Sequence, residues 1–319
     1  MATQKGHVEL AREYLEHGRH QKLFRLLTDT TDYFRVEYND IVAVEDTHYL
    51  ITGYEREGRA GLEDPKYWVK KAIELDTGRR VIMKLSFYEN FVSRIGNQEI
   101  IFFRSPQKEA RVLRQARDNP HFMHGVSVRD SVGNLLRIVD RIPGPTLGGY
   151  LHKFSENHKT FFEENLPDVL RRLIKAYRAM GFLHSLREVH GDIRRDHIIV
   201  DSRDGLFKWI DFDYNYRHGE SIFGIDLFEM GCLLTTVVAR GFPALYDLVH
   251  KYPDIRDRLE LDDMNILYKN RVANLKKIYP YIPDRLNLIL LRFSAGAEIF
   301  YDTTEELVSD MEEALEDLS

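Results

Sequence analysis

The chain changes hydrophobic period along its length. From Phe34 to Leu85 the apolar residues come in short β-branched and aromatic runs, FRVEY, DIVAVE, HYLITGY, YWVKKAIEL and RVIMKL, and the turn DTGR at residues 76–79 joins the last two. Such runs, bounded by turn residues, predict the strands of an antiparallel sheet. Residues 105–117, SPQKEARVLRQAR, place Ser105 as a cap, Pro106 in the first turn and Ala110, Val112, Leu113 and Ala116 on one side, which predicts a helix crossing the sheet. HGVSVRD and NLLRIVDRI, around Gly133, predict two more strands. Downstream the spacing becomes helical, with Leu170, Leu173, Ile174, Tyr177, Met180 and His184 stepping from a start near Asn165 and Pro167. The last segment, DTTEELVSDMEEALEDLS, sets Thr303 and Glu306 as a capping box and Leu307, Met311, Leu315 and Leu318 on one face. Its eight acids form a solvated face. Before the sheet, Val8, Ala11, Tyr14 and Leu15, then Leu23, Phe24 and Leu27, with Gly18 between, predict two short amphipathic helices over residues 7–28.

This order gives an α+β fold in three stretches: an N-terminal helical extension over 1–33, a small β-rich part over 34–142 and a larger helical part over 143–319. The Pro/Gly cluster PGPTLGG at 143–149 marks the division. A chain of 319 residues with 43% hydrophobic and 30% charged residues suffices for two cores. The net charge of −6 offers no general attraction to nucleic acid or to an anionic membrane surface. The N-terminal residues lack the apolar core of a signal peptide, and no apolar run approaches a membrane span, so a cytoplasmic protein is expected. Cys232, the one cysteine, excludes an internal disulfide and, within MGCLLTTVV, reads as a buried structural thiol. Arg171, Lys175 and Arg178 line one helix face and read as solvated charge.

The densest chemistry lies in VHGDIRRDHIIVDSRDGLFKWIDFDY, residues 189–214. Asp192 opens a polar loop, His197 follows, and the runs IIV and FKWI flank the turn SRDG before Asp211. Apolar strands around a charged turn hold two carboxylates close together at one end of a hairpin.

This segment resembles the catalytic loop and metal-binding motif of protein kinases, HRDLxxxN and DFG in that family, written here as HGD, His197 and DFD. RVIMK, ending in Lys84, resembles the strand lysine motif VAIK, and KEARVLRQARDNPHF is similar to the helix that supplies its partner. RIVDRIPGPTL resembles the hinge, FLHSLREVHGD the helix end entering the catalytic loop, GIDLFEMGCLL the helix beginning DxWSxGCxL, and DTTEELVSDMEEAL the last helix. The resemblance covers about residues 48–315. It implies a two-lobed protein kinase-like fold and an ATP-dependent phosphotransferase using Mg2+, with Mn2+ as an alternative. The roles it carries over are these. Asp192 accepts the hydrogen bond of the incoming hydroxyl, and Arg194 takes the place of the lysine that neutralises the transferring phosphoryl. Lys84 meets phosphate oxygens, fixed by Glu109 ahead of the competing Glu99. Asp211 holds metal. His197, where the family has asparagine, is a second metal ligand or else hydrogen-bonds Asp192 and orders the loop. Val139 backs the adenine pocket, and Asp140, Arg141 and Ile142 offer backbone groups to the base. Asp226 holds the loop backbone. Lys84, Asp192 and Asp211 are expected to converge around one triphosphate.

The chain also departs from that family. The glycine-rich loop is absent, leaving Gly53, Gly58 and Gly61 in GYEREGRAG as the stretch whose amides would cover the phosphates. No APE motif follows Asp211, Asp226 comes soon after it, and Gly191 replaces the arginine that reads an activation-loop phosphate, so no switching by phosphorylation there is expected. Asp213 replaces the glycine of DFG, as in aminoglycoside- and choline-type kinases. Three functions follow in order: an atypical bacterial-type serine/threonine protein kinase, a small-molecule kinase, and a nucleotide-binding pseudokinase scaffold. Lys84, Glu109, Asp192 and Asp211 together argue against the third.

Overall fold

The computed structural model describes residues 6–15, 24–59, 62–95, 98–217 and 221–318. The chain is of the α+β class and divides into two compact units. The first comprises Met1–Glu89, Arg104–Asp118 and Met123–Ile142, the second Asn90–Phe103, Asn119–Phe122 and Pro143–Ser319.

In the first unit a short helix α1 (His7–Tyr14) precedes strands β1 (Leu26–Leu27), β2 (Ile41–Val44), β3 (Thr47–Arg59), β4 (Leu62–Glu74) and β5 (Arg80–Lys84). Strands β6 (Asn90–Ile95) and β7 (Gln98–Arg104) come next in the chain and form a hairpin assigned almost wholly to the second unit. Helix α2 (Pro106–Gln115) and strands β8 (Gly125–Arg129) and β9 (Leu135–Asp140) complete the first. Its mixed sheet runs β1-β2-β3-β4-β5-β9-β8, with β1 parallel to β2 and the other pairings antiparallel. Alternation gives β5 and β9 two different faces. Val81, Met83 and Leu85 join Leu136 and Ile138 in an apolar core with Val42, Val44 and Ile51. Lys84 and Arg137, directly opposite in register, share the other face. α2 starts as its cap predicts, with Ser105 Oγ accepting the Lys108 N–H at 3.2 Å.

Two predicted elements differ. FRVEY is not a strand: Tyr33–Arg35 form a 3-10 turn because Asp32 caps it, its carboxylate accepting the Phe34 N–H at 3.0 Å. The second N-terminal helix does not extend to Leu27, since Leu26 and Leu27 pair with Ile41 and Val42. Phe24 is not helical either, and Leu23, with Gly18 before it, lies outside the described residues.

The second unit is mainly helical: α3 (Leu147–His152), α4 (His158–Glu164), α5 (Leu166–Ser185), α6 (Gly224–Val238), α7 (Leu245–Lys251), α8 (Asp284–Leu291) and α9 (Thr304–Glu316). It carries the hairpin β10 (Ile198–Val200) with β11 (Phe207–Trp209), and β12 (Tyr214–Arg217), which joins β7 and β6 in a three-stranded sheet. The Pro/Gly cluster lies along β10, Val200 N–H donating to Pro145 at 2.9 Å and Ser202 N–H to Pro143 at 2.8 Å. Gly144 is required there, because it has φ +143° and a Cβ would collide with the Val200 carbonyl. Buried Trp209 donates its indole N–H to Ala176 on α5 at 2.8 Å, anchoring the hairpin to the longest helix. Cys232 is buried, and burial pushes its thiol up to about 12. Arg178 pairs with Glu312 of α9 on an exposed face. Among the described residues no helix is long and apolar enough to cross a membrane.

Candidate functional site

The loop after α5 is held by carboxylates from one helix. Asp226, fully buried in the first turn of α6, accepts the His190 N–H at 2.6 Å and the Gly191 N–H at 2.9 Å. It also pairs with His184 Nε2 of α5 at 3.0 Å, and Nδ1 of that ring meets Thr304 Oγ1 at 2.9 Å. Three positions on, and therefore on the same helix face, Glu229 accepts the Ile193 N–H at 2.7 Å. Carboxylates thus anchor the amides flanking Asp192. Asp192 N–H donates to His190 Nδ1 at 3.3 Å, so Nε2 of that fully buried ring carries the proton and donates to the Ile210 carbonyl at 3.0 Å. Gly191 has φ +86°, and a Cβ there would run into the Tyr214 carbonyl. Only glycine fits both constraints.

Asp192 itself stays partly exposed. Arg194 Nε lies 3.2 Å from its Oδ1, and Arg194 Nη2 lies 2.7 Å from His197 Nε2. Buried His197 places Nδ1 2.7 Å from the Asp192 carbonyl oxygen and 3.6 Å from Asp192 Oδ2. Nδ1 therefore donates to the carbonyl and Nε2 accepts from Arg194, which leaves neither ring nitrogen for a metal. This arrangement favours loop ordering, the alternative weighed for His197, over metal ligation.

The hairpin carries the second carboxylate. Ile198 faces Trp209 and Val200 faces Phe207 across it, and fully buried Asp201 closes the turn with Arg203 Nη2 at 2.6 Å and Lys208 Nζ at 2.8 Å. The Arg203 hydrogen bond, with Lys208, holds the Asp201 carboxyl far below the usual range. After Trp209 the backbone turns at Asp211, whose φ of +69° is uncommon for a non-glycine residue. Asp211 Oδ2 comes within 3.4 Å of His197 Nε2, so one imidazole stands between the two carboxylates. Phe212 is fully buried against His190 and Phe122, at ring separations of 4.8 and 5.3 Å. Asp213 is fully buried.

In the first unit Lys84 pairs with Glu109 of α2, and both are buried. Glu99 instead faces Arg94 across β6 and β7 at 2.5 Å. Glu109 has a second cation: Arg137 Nε lies 3.1 Å from its Oε2, and Arg137 Nη1 donates to the Leu85 carbonyl at 3.1 Å. Arg137 is fully buried, and its Nη2 finds no hydrogen-bond partner among the described residues. Two residues further along β9, buried Val139 falls on the face shared by Lys84 and Arg137. Asp140 gives its N–H to the His124 carbonyl at 2.8 Å, and its carboxylate accepts from Arg79 Nη1 at 2.7 Å. Arg141 and Ile142 continue beyond the strand end. Of the glycines expected over phosphates, Gly53 occupies a register shift in β3 with φ +152°, Gly58 pairs with Glu63, and Gly61 lies outside the described residues.

Among the described residues no group of three or more His, Cys, Asp or Glu could hold a metal ion. Those residues therefore form no all-protein cage. Mg2+ commonly binds through one or two carboxylates plus waters and substrate phosphates, and Asp211 suits that mode. No family model and no curated protein matches the chain.

Sequence reasoning did not single out Arg137, Glu229 or His190, and took His184 only as part of a helix face. Arg137 was marked only as a charge inside the apolar run LLRIVD, and Glu229 by its i+3 spacing from Asp226.

Two predictions follow from these charges. Glu109→Gln leaves two buried cations around a neutral side chain and should destabilise the protein by about 3–5 kcal/mol in urea unfolding; a change below about 1 kcal/mol contradicts the cluster. Burial, with the charges of Asp192 and Asp226, pushes the Glu229 carboxyl well above the glutamate range. The folded state then binds a proton that the unfolded state releases, so this group's stabilisation is complete below the ordinary glutamate value and declines as pH rises. Glu229→Gln keeps an acceptor for Ile193 and should flatten the fall of Tm as pH rises above the ordinary glutamate value; an unchanged profile contradicts the assignment.

Proposed function

We propose that the chain is an ATP-dependent phosphotransferase of the protein kinase-like type, moving the γ-phosphoryl of ATP to a hydroxyl acceptor, with its two units as small and large lobes. One observation carries this reading: α6 clamps the loop on both sides of Asp192 through Asp226 and Glu229, while Asp192 keeps solvent access beside Arg194. A loop fixed in this way presents a carboxylate to an incoming hydroxyl without reorganisation during the reaction. Asp192 accepts that hydroxyl's hydrogen bond. Arg194, already beside it, offers a planar fork to phosphoryl oxygens. Lys84, oriented by Glu109 and Arg137, binds nucleotide phosphates. Asp211 holds Mg2+, or Mn2+ in its place, which supplies charge neutralisation to those phosphates. Val139 packs on the base, and the backbone of Asp140, Arg141 and Ile142 addresses its edge. Since Asp140 N–H is engaged by His124, the carbonyl is what that residue offers.

The first acceptor class is a serine or threonine of a protein. A small-molecule alcohol is the second, favoured by fully buried Asp213 and by β12, which begins immediately after it and leaves only residues 218–223 before α6.

Mg-ATP at about a hundred times its Kd should stabilise the protein by about 2.7 kcal/mol, a rise of several degrees in Tm. Asp211→Ala should abolish that rise and Lys84→Ala should reduce it. No shift for the wild-type protein contradicts the proposal. Incubation with labelled ATP alone, with protein substrates and with a panel of metabolite alcohols then assigns the acceptor: label on serine or threonine selects the first class, label on a metabolite the second.

A further inference from the structure

A pair of arginines, one of them just after Asp192 in the chain, shares one aromatic ring. Arg195 and Arg271 each place the guanidinium carbon 4.0 Å from the centre of the Phe242 ring, and Arg271 also lies 4.1 Å from that of Tyr268. Like charges on one ring repel each other, and a nearby anion would relieve that repulsion. Arg271 makes no ion pair among the described residues. Arg195 has only the exposed Asp196, at 4.0 Å, and its buried Nε finds no hydrogen-bond partner among those residues. Burial pushes the Arg271 guanidinium down, and the charge of Arg195 adds to that.

The arrangement is built into the fold. Arg195 passes under α3 where Gly148 leaves room, since a Cβ there would stand 3.1 Å from Arg195 Cδ and Nε. Arg271 is fixed by backbone bonds, its N–H donating to Tyr268 at 2.8 Å and its carbonyl accepting the Asn265 N–H at 2.8 Å. Phe242 and Tyr246 remain exposed. Arg195 follows Asp192 by three residues in the same loop, and burial, with the charges of Glu229 and Asp192 among others, pushes the Tyr268 phenol up to about 12. Arg195 is thus carried by the loop that carries Asp192.

We propose that Arg195 and Arg271, stacked on Phe242, form an anion-binding subsite that takes a phosphate monoester carried by the acceptor, so that the preferred acceptor is an alcohol already phosphorylated near its reacting hydroxyl. The acceptor role rests on the phosphotransferase reading; the anion site does not. A guanidinium fork binds a tetrahedral anion through charge-assisted hydrogen bonds, and the exposed Tyr246 ring is available to the apolar part of the molecule carrying it. Lysine in either position would lose the bidentate geometry.

The test is calorimetric titration without nucleotide, using O-phosphoserine, glycerol phosphate, a phosphoserine peptide and their unphosphorylated counterparts. The wild-type protein should bind phosphorylated probes and not the others, with the tightest probe naming peptide or metabolite as the source. Arg271→Met and Arg271→Lys should each weaken binding about tenfold or more while the fold is kept, as read by far-UV spectra and thermal melts. Gly148→Ala should weaken it too, by displacing Arg195. Phosphorylated probes that bind the Arg271→Lys protein as tightly as wild type, or that fail to bind wild type, overturn the subsite. Because no nucleotide is present, that outcome is separate from a missing Mg-ATP shift.

Discussion

The buried carboxylate of Asp226 is the interaction on which the second unit depends. It receives two consecutive backbone N–H groups and an imidazole, and so gathers the ends of α5, α6 and α9 at the start of one loop. Burial alone would raise its pKa, and the His184 bond and loop amides more than reverse that, so the group is held as an anion. Hydrogen bonds to a charged group stabilise by about 1.5–3 kcal/mol each, which makes this a rigid attachment. Without it, the left-handed turn at Gly191 has little to hold it, and Asp192 becomes a surface residue.

Glu109 has the corresponding place in the first unit. A single carboxylate between Lys84 and Arg137 ties α2 to two neighbouring strands on the sheet face opposite the apolar core. Buried charges are costly to desolvate, and three in contact persist when geometry and hydrogen bonds compensate. Arg137 gains two backbone carbonyls as well, which makes it a fixed buttress and leaves Lys84 as the cation at the strand end. Glu229 adds a different element, a carboxyl pushed toward its neutral form beside two acidic neighbours.

Much of this was legible because local signals and tertiary need agreed. Ser105, Thr303 and the turn at Gly133 set element ends by short-range hydrogen bonds and backbone freedom, and each stands where the sequence put it. The pairing of Lys84 with Glu109 and the contact of Asp226 with the loop followed from motif positions. The failures have one cause, competition that periodicity does not register. Asp32 turned a β-rich run into a 3-10 turn, and Leu26–Leu27 found parallel partners at Ile41 and Val42, well beyond the span of a local signal. Arg137, Glu229, Arg195 and Arg271 went unremarked because each matters through side chains distant in sequence. For His197 the sequence left metal ligation and loop ordering both open, because its two hydrogen bonds are visible only in three dimensions.

On the proposed reading the clamped loop presents Asp192 to a hydroxyl during phosphoryl transfer. Single-turnover transfer of label from γ-labelled ATP, compared between the wild-type protein and Asp192→Asn at saturating Mg-ATP, tests it most directly. The account predicts transfer in the wild type and a loss of at least about a hundredfold in rate for Asp192→Asn, with nucleotide affinity unchanged. Transfer at the wild-type rate by Asp192→Asn would contradict it.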